Sequence, residues 1–166
     1  MSGQGGNRRS PEERAERQAR TSAARLYAVQ ALFQMEAGGQ SADRVMAEFR
    51  QWRIGRTDED EDMVSIEADG VLFGRIIDEA VNRQSRIDQM TDRALVAKWP
   101  IDRIDPVLRA LFRAAGAELV ETGTPPKVVI TEYVRVAQAF FPEGREGKFV
   151  NAVLDHMARE ARPEAF

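Results

Sequence analysis

The chain contains no cysteine among its 166 residues, which excludes disulfides and thiolate metal sites. With no disulfide to explain, the cytoplasm is the simplest compartment. Histidine occurs once, at His156, so a multi-histidine metal site is excluded too. A lone histidine on a last helix reads as a surface or boundary residue, not as a general base. Long apolar runs are missing: no stretch reaches the ~18 residues needed to span a bilayer. The opening residues lack the apolar centre of a signal peptide and are too acidic for an organellar leader. Glycines form no phosphate loop, dinucleotide fingerprint or nucleophile elbow. No residue set stands out for catalysis, so the chain is expected to bind, not to react, and to need no cofactor.

What is present is a helical pattern. Hydrophobic residues make up 43% and charged residues 31%, enough apolar material for a core. The length suits one compact domain or two small subdomains sharing a core. Ser10-Pro11-Glu12-Glu13 has the form of a helix start: a hydroxyl cap, a proline in the first turn, then acids at the positive dipole end. That helix should run to about Ala37, before Gly38-Gly39. Ser41 caps a second, with Val45, Met46, Phe49 and Trp52 as its apolar stripe. Residues 54–64 break the periodicity and read as an exposed acidic loop. A third helix restarts at Ser65-Ile66-Glu67 and carries apolar residues to Ile87, and a short one is expected from Thr91 to Lys98. Asp105-Pro106 opens a helix that stops at Gly123. Thr124-Pro125-Pro126 caps the next, although Val128-Val129-Ile130 is locally ambiguous. A last helix starts near Gly147. The expected division is a disordered tail over 1–10, a helical subdomain over 11–95 and a second over 96–166. The fold class is all-α.

The run Asp58-Glu59-Asp60-Glu61-Asp62 invites a calcium test. Acids fall at the first, third and fifth positions, but Met63 stands where the loop needs glycine and Asp69 where it needs a bidentate glutamate. A solvated loop is the better reading.

Net charge is −3, yet the distribution is uneven: residues 1–25 hold six arginines against three glutamates. Arg14, Arg17, Arg20 and Arg25 fall within roughly a 140° arc of the first helix. Arginine forks contact phosphate and stack on bases. Glu13–Arg17 and Glu16–Arg20 pairing on a solvated face fits the same residues.

Two segments carry a family resemblance. One is Ala24-Arg25 followed by Tyr27-Ala28-Val29-Gln30-Ala31-Leu32-Phe33-Gln34. The other joins Pro125-Pro126-Lys127-Val128-Val129-Ile130-Thr131-Glu132 to Lys148-Phe149-Val150-Asn151-Ala152-Val153-Leu154-Asp155. With Val107-Leu108-Arg109-Ala110-Leu111-Phe112-Arg113 between them, the chain resembles the NusB family of bacterial transcription antitermination factors over about residues 20–160.

The resemblance implies an all-α fold of two small helical bundles packed together. It implies partnership with NusE, a small-subunit ribosomal protein, in the RNA polymerase antitermination complex. It also implies binding of single-stranded boxA RNA from ribosomal RNA leaders. Arg25 matches the last arginine of the family's basic motif, whereas Thr21, Ser22 and Ala23 replace the arginines that often precede it. Phe33 stands where an RNA-contacting tyrosine can occur. Lys148 and Phe149 match well: a cation and an aromatic at a helix start suit a phosphate and a base, although Phe149 could equally pack on Val153. Arg145 replaces a residue that is often acidic. Leu108 stands at another such place, toward the NusE surface.

The expected RNA contacts are therefore Arg14, Arg17, Arg20, Arg25, Phe33, Lys148 and Phe149. A scaffold that binds only protein is the rival reading. NusB-like modules also occur fused to ribosomal RNA methyltransferases, but this length leaves no room for such a catalytic domain. Some relatives dimerise through surfaces that would hide the RNA site, and the sequence leaves a homodimer open.

Overall fold

The structure, a computed structural model, describes residues 8–52, 68–95 and 104–166. Seven α-helices and no strand occur among the described residues: α1 (Pro11–Gly38), α2 (Ala42–Trp52), α3 (Gly70–Asn82), α4 (Gln84–Leu95), α5 (Pro106–Glu121), α6 (Pro126–Phe140) and α7 (Glu146–Ala161). None is long and apolar enough to cross a membrane. The expected tail end at 1–7, most of the acidic run 58–69 and the seam at 96–103 lie outside the described residues.

Local signals set the helix ends. Ser10 Oγ accepts from the Glu13 amide while the Glu13 carboxylate accepts from the Ser10 amide, a reciprocal cap on α1. Gly39 ends α1 in the left-handed region at φ 64°. Asp69 caps α3, accepting from the Leu72 amide at 3.0 Å. Asp105 does the same for α5 through the Val107 amide. The ambiguous Val128-Val129-Ile130 is helical, inside α6.

One boundary differs from expectation. The third and fourth helices meet at Arg83, whose amide still reaches the Glu79 carbonyl, and not near Thr91. Thr91 lies inside α4, fully buried, and its hydroxyl donates to the Ile87 carbonyl at 2.8 Å. That bond satisfies a polar group which the sequence pattern reads as a break.

Helix α5 is the hub. It packs against α1, α3, α4, α6 and α7, and ten of its residues are buried. Leu108 is one of them, at 6% exposure, so it serves the core and not a partner surface. Phe112 and Leu111 on α5, Phe73, Ile76 and Ile77 on α3, and Leu154 and Met157 on α7 share one continuous core. Helix α1 spans the assembly, touching α2, α3, α5 and α6. Its long exposed flanks are thereby held rigidly, which is what a binding surface requires.

Candidate nucleic-acid interface

The expected contact residues fall into three groups. The first is the upstream arginine arm. Arg14 and Arg17 are exposed and Arg20 is half-buried. Arg17 and Arg20 border a polar cleft of about 400 Å³ together with Arg9, Glu13, Glu16 and Asp69. The cleft is closed on one side by the α3 entry, where the Asp69 amide donates to the Arg20 carbonyl at 3.1 Å. Glutamates and Asp69 in the same cleft temper its positive potential.

The second group is Arg25 alone, and here the expectation of a phosphate contact is corrected. Arg25 is 5% exposed. Its Nε donates to Glu118 Oε2 at 2.9 Å and its Nη2 to Glu118 Oε1 at 3.1 Å, a two-pronged pair across α1 and α5. Its Nη1 stands 3.7 Å from Glu132 on α6. Burial works against the charge, but the bond and field of Glu118 outweigh it, and the guanidinium pKa rises above its usual value. Ser22 Oγ donates to Glu132 at 3.0 Å, and Gln18 Nε2 also donates to that carboxylate. Residues 18, 22 and 25 thus form one polar stripe that locks α1 onto α5 and α6. A buried arginine so committed cannot also turn to solvent.

The third group gathers at the other end of α1. Phe33 is 37% exposed and borders a groove of about 550 Å³. Val29 and Gln30 on α1, Phe49 on α2, Val107 on α5 and Phe140 on α6 complete its walls. Helix α7 begins just past Phe140, and its first turn packs on α6: a β-carbon at Gly147 would lie 3.5 Å from the Gln138 side chain. Lys148 is exposed there and forms no ion pair with a described residue. Phe149 is half-buried, its ring edge-on to Phe112 at 6.1 Å between centroids. Both readings of Phe149 are therefore partly served, since it braces the core and keeps part of its surface outside. Arg145, the N-cap of α7, is exposed beside them.

These groups do not form one patch. Arg17 and Phe33 are 16 residues apart, which places them about 24 Å apart along the axis and about 160° around it. The structure brings Phe33, Lys148 and Phe149 to one end of the bundle and leaves Arg17 and Arg20 on the far flank of α1. The buried partners Glu118 and Glu132 escaped sequence reasoning. Their signal was faint: glutamates within otherwise apolar helical stripes.

Comparison with known proteins places this geometry. The sequence pattern of the NusB family matches residues 22–159. The transcription antitermination protein NusB of Maricaulis maris (strain MCS10) is 45% identical over 161 residues, covering 96% of this chain and 98% of its own. Among solved structures, NusB of T. maritima superposes with a TM-score of 0.65 at 29% identity, over 91% of this chain and 96% of that one. A chain from a structure of antitermination factors NusB and NusE in complex with dsRNA shares the fold at a TM-score of 0.68 and 23% identity, over 84% of this chain and 96% of its own. With the family pattern and a near full-length relative in agreement, the chain belongs to the NusB family.

Proposed function

We propose that the chain is a cytoplasmic, non-enzymatic adaptor in transcription antitermination. It holds boxA RNA from ribosomal RNA leaders and joins NusE in the complex on RNA polymerase. The relative that is 45% identical nearly end to end is itself a transcription antitermination protein. NusE and dsRNA are the partners named for the complex that shares this fold.

The observation that carries the RNA reading is an aromatic left open at a groove, with Lys148 exposed on the first turn of α7 and in no ion pair with a described residue. Phe33 keeps more than a third of its surface exposed in an otherwise well-packed helix. A splayed base can stack on such a ring, which favours a single strand over a duplex. Lys148 then meets a phosphate, and Phe149 supports the base from the α7 side. Arg14, Arg17 and Arg20 engage flanking phosphates of a longer RNA. Arg25 holds α1 in place from within.

The test is a titration of labelled boxA RNA with and without NusE, at two salt concentrations. NusE should tighten RNA binding, because the two proteins share one strand. Binding should weaken with salt along a log–log slope of about −0.7 for each phosphate neutralised. Capture of NusE with no binding of RNA under any of these conditions would make the chain a protein scaffold instead.

A further inference from the structure

A second trough runs beside α1, and its rim carries a cation that the groove at Phe33 does not include. The trough holds about 360 Å³ between α1 and α6. Ser22, Ala23 and Leu26 stand on its α1 wall, and Arg135, Val136 and Ala139 on its α6 wall, with the nearly buried Glu132 carboxylate among the lining. We propose that this trough continues the RNA track and that Arg135 contacts a phosphate of the strand. This rests on the function proposed above and extends it to a surface and a residue.

Continuity is the first argument. Ser22, Ala23 and Leu26 are followed at helical spacing by Gln30, Phe33 and Gln34, which border the groove at Phe33. On α6, Val136 and Ala139 lead to Phe140, which lines that same groove. On α1 the two linings run in series from Ala19 to Ala37, about 27 Å at the helical rise, while α6 walls the trough and meets the groove at Phe140.

Charge is the second argument. Arg135 is the exposed member of the pair it forms, with 62% of its side chain accessible against 6% for Glu132, and the separation is a loose 3.6 Å. Glu132 does not depend on it: Arg25, Ser22 and Gln18 hold that carboxylate from the inner side. Arg135 can therefore swing to a phosphate without leaving a buried anion unpaired. Such a transfer exchanges a weak surface pair for a charge-assisted fork on phosphate. The apolar walls suit base and sugar faces, and the arginine at the rim suits the backbone.

The experiment measures boxA RNA binding in the presence of NusE for the full chain and for Arg135→Gln, Arg135→Lys, Ala139→Glu and Phe33→Ala. Arg135→Gln should weaken binding about threefold to tenfold at low salt and flatten the log–log salt slope by about 0.7, the signature of one phosphate lost. Arg135→Lys should keep the slope. Ala139→Glu should weaken binding by placing an anion in the channel, and none of the three should shift the unfolding midpoint. If Phe33→Ala weakens binding but Arg135→Gln leaves both affinity and slope at the unsubstituted values, the trough is not part of the track. A fall in NusE affinity alone would make it a protein surface and overturn the proposal. Failure of the unsubstituted chain to bind RNA at all would overturn the parent reading together with this one.

Discussion

Arg25 on α1 and Glu118 on α5 meet as a fork on a fork inside the protein, with Nε–Oε2 at 2.9 Å and Nη2–Oε1 at 3.1 Å and the glutamate wholly shielded from water. The glutamate has further support. Thr124 Oγ1, at the entry to α6, donates to Glu118 Oε1 at 3.1 Å. One buried carboxylate thus ties together α1, α5 and the turn before α6. The arginine that a sequence reader assigns to RNA is spent on architecture.

Arg25→Met should therefore be a folding variant and not a phosphate-contact variant. Removing the cation strands Glu118 in the core, where breaking a buried pair costs about 3–5 kcal/mol. Urea unfolding of Arg25→Met should show a loss of that order, and the double variant Arg25→Met with Glu118→Met should recover part of it. A loss below about 1 kcal/mol would mean that water reaches the pair. Where the variant stays folded, its RNA salt slope should match the unsubstituted chain.

Tyr133 adds a pH dependence at the alkaline end. Its side chain is completely buried, its hydroxyl makes no hydrogen bond of good geometry with a described residue, and the Glu118 carboxylate lies near enough to act on it. Burial first, and then the negative field of Glu118, push its pKa well above the usual 10. The unfolded chain releases that proton near pH 10, while the folded chain retains it. Folded stability is thus intact below pH 10 and declines as pH rises from there toward the folded value. Tyr133→Phe should flatten this decline in alkaline unfolding curves. At neutral pH it should be neutral or slightly stabilising, because it deletes an unsatisfied buried hydroxyl. A cost above about 2 kcal/mol at pH 7 would show that the hydroxyl has a partner.

Much of the fold was legible because its helix ends are written in local chemistry. Ser10, Asp105 and Gly123 each act within one turn of themselves, and the sequence shows such signals directly. The break at Arg83 was not legible: it carries neither glycine nor proline, and what ends α3 there is the packing of α4 on α5 and α7. The site was half legible. Phe33 and Lys148 could be picked from the family resemblance, whereas helical periodicity alone puts Phe33 on the packing side of α1 with Leu26, Val29 and Leu32, from which its ring emerges 37% exposed. The fate of Arg25 could not, because Glu118 lies 93 residues away and only the tertiary fold brings the two together. Arg135 escaped notice altogether. An arginine one turn after a glutamate looks like a solvated helix pair until α1 is laid beside it.

Gly116 offers a test of how tightly α5 holds its neighbours. A β-carbon there would sit 2.4 Å from Ile87 Cγ2, in a fully buried contact between α5 and α4. Gly116→Ala gains helix propensity of about 1 kcal/mol, but overpacking a close-packed site costs about 1–3 kcal/mol. The clash should win, with a net loss in denaturant midpoint. Adding Ile87→Leu removes the Cγ2 branch that the new β-carbon meets, at nearly constant volume, and should restore part of the loss. Equal stability of Gly116→Ala and the unsubstituted chain would mean that α4 shifts freely.

The groove at Phe33 should separate stacking from charge. Phe33→Ala removes a base platform worth about 1–3 kcal/mol, or roughly fivefold to 150-fold in RNA affinity, without touching a phosphate. Its salt slope should therefore remain that of the unsubstituted chain while the whole line moves to weaker binding. Lys148→Ala should do the reverse: a modest loss at low salt, a slope flatter by about 0.7, and convergence with the unsubstituted chain as salt rises. Phe33→Tyr should bind at least as well as phenylalanine, because the ring is kept and the groove mouth has room for a hydroxyl. Lys148 is exposed and forms no ion pair with a described residue, so Lys148→Ala should leave the unfolding midpoint unchanged, whereas Phe33→Ala removes a ring only 37% exposed and should lower it by an amount worth about 1–2 kcal/mol. Identical slopes and equal losses in Phe33→Ala and Lys148→Ala would show that neither residue touches the strand in the way proposed.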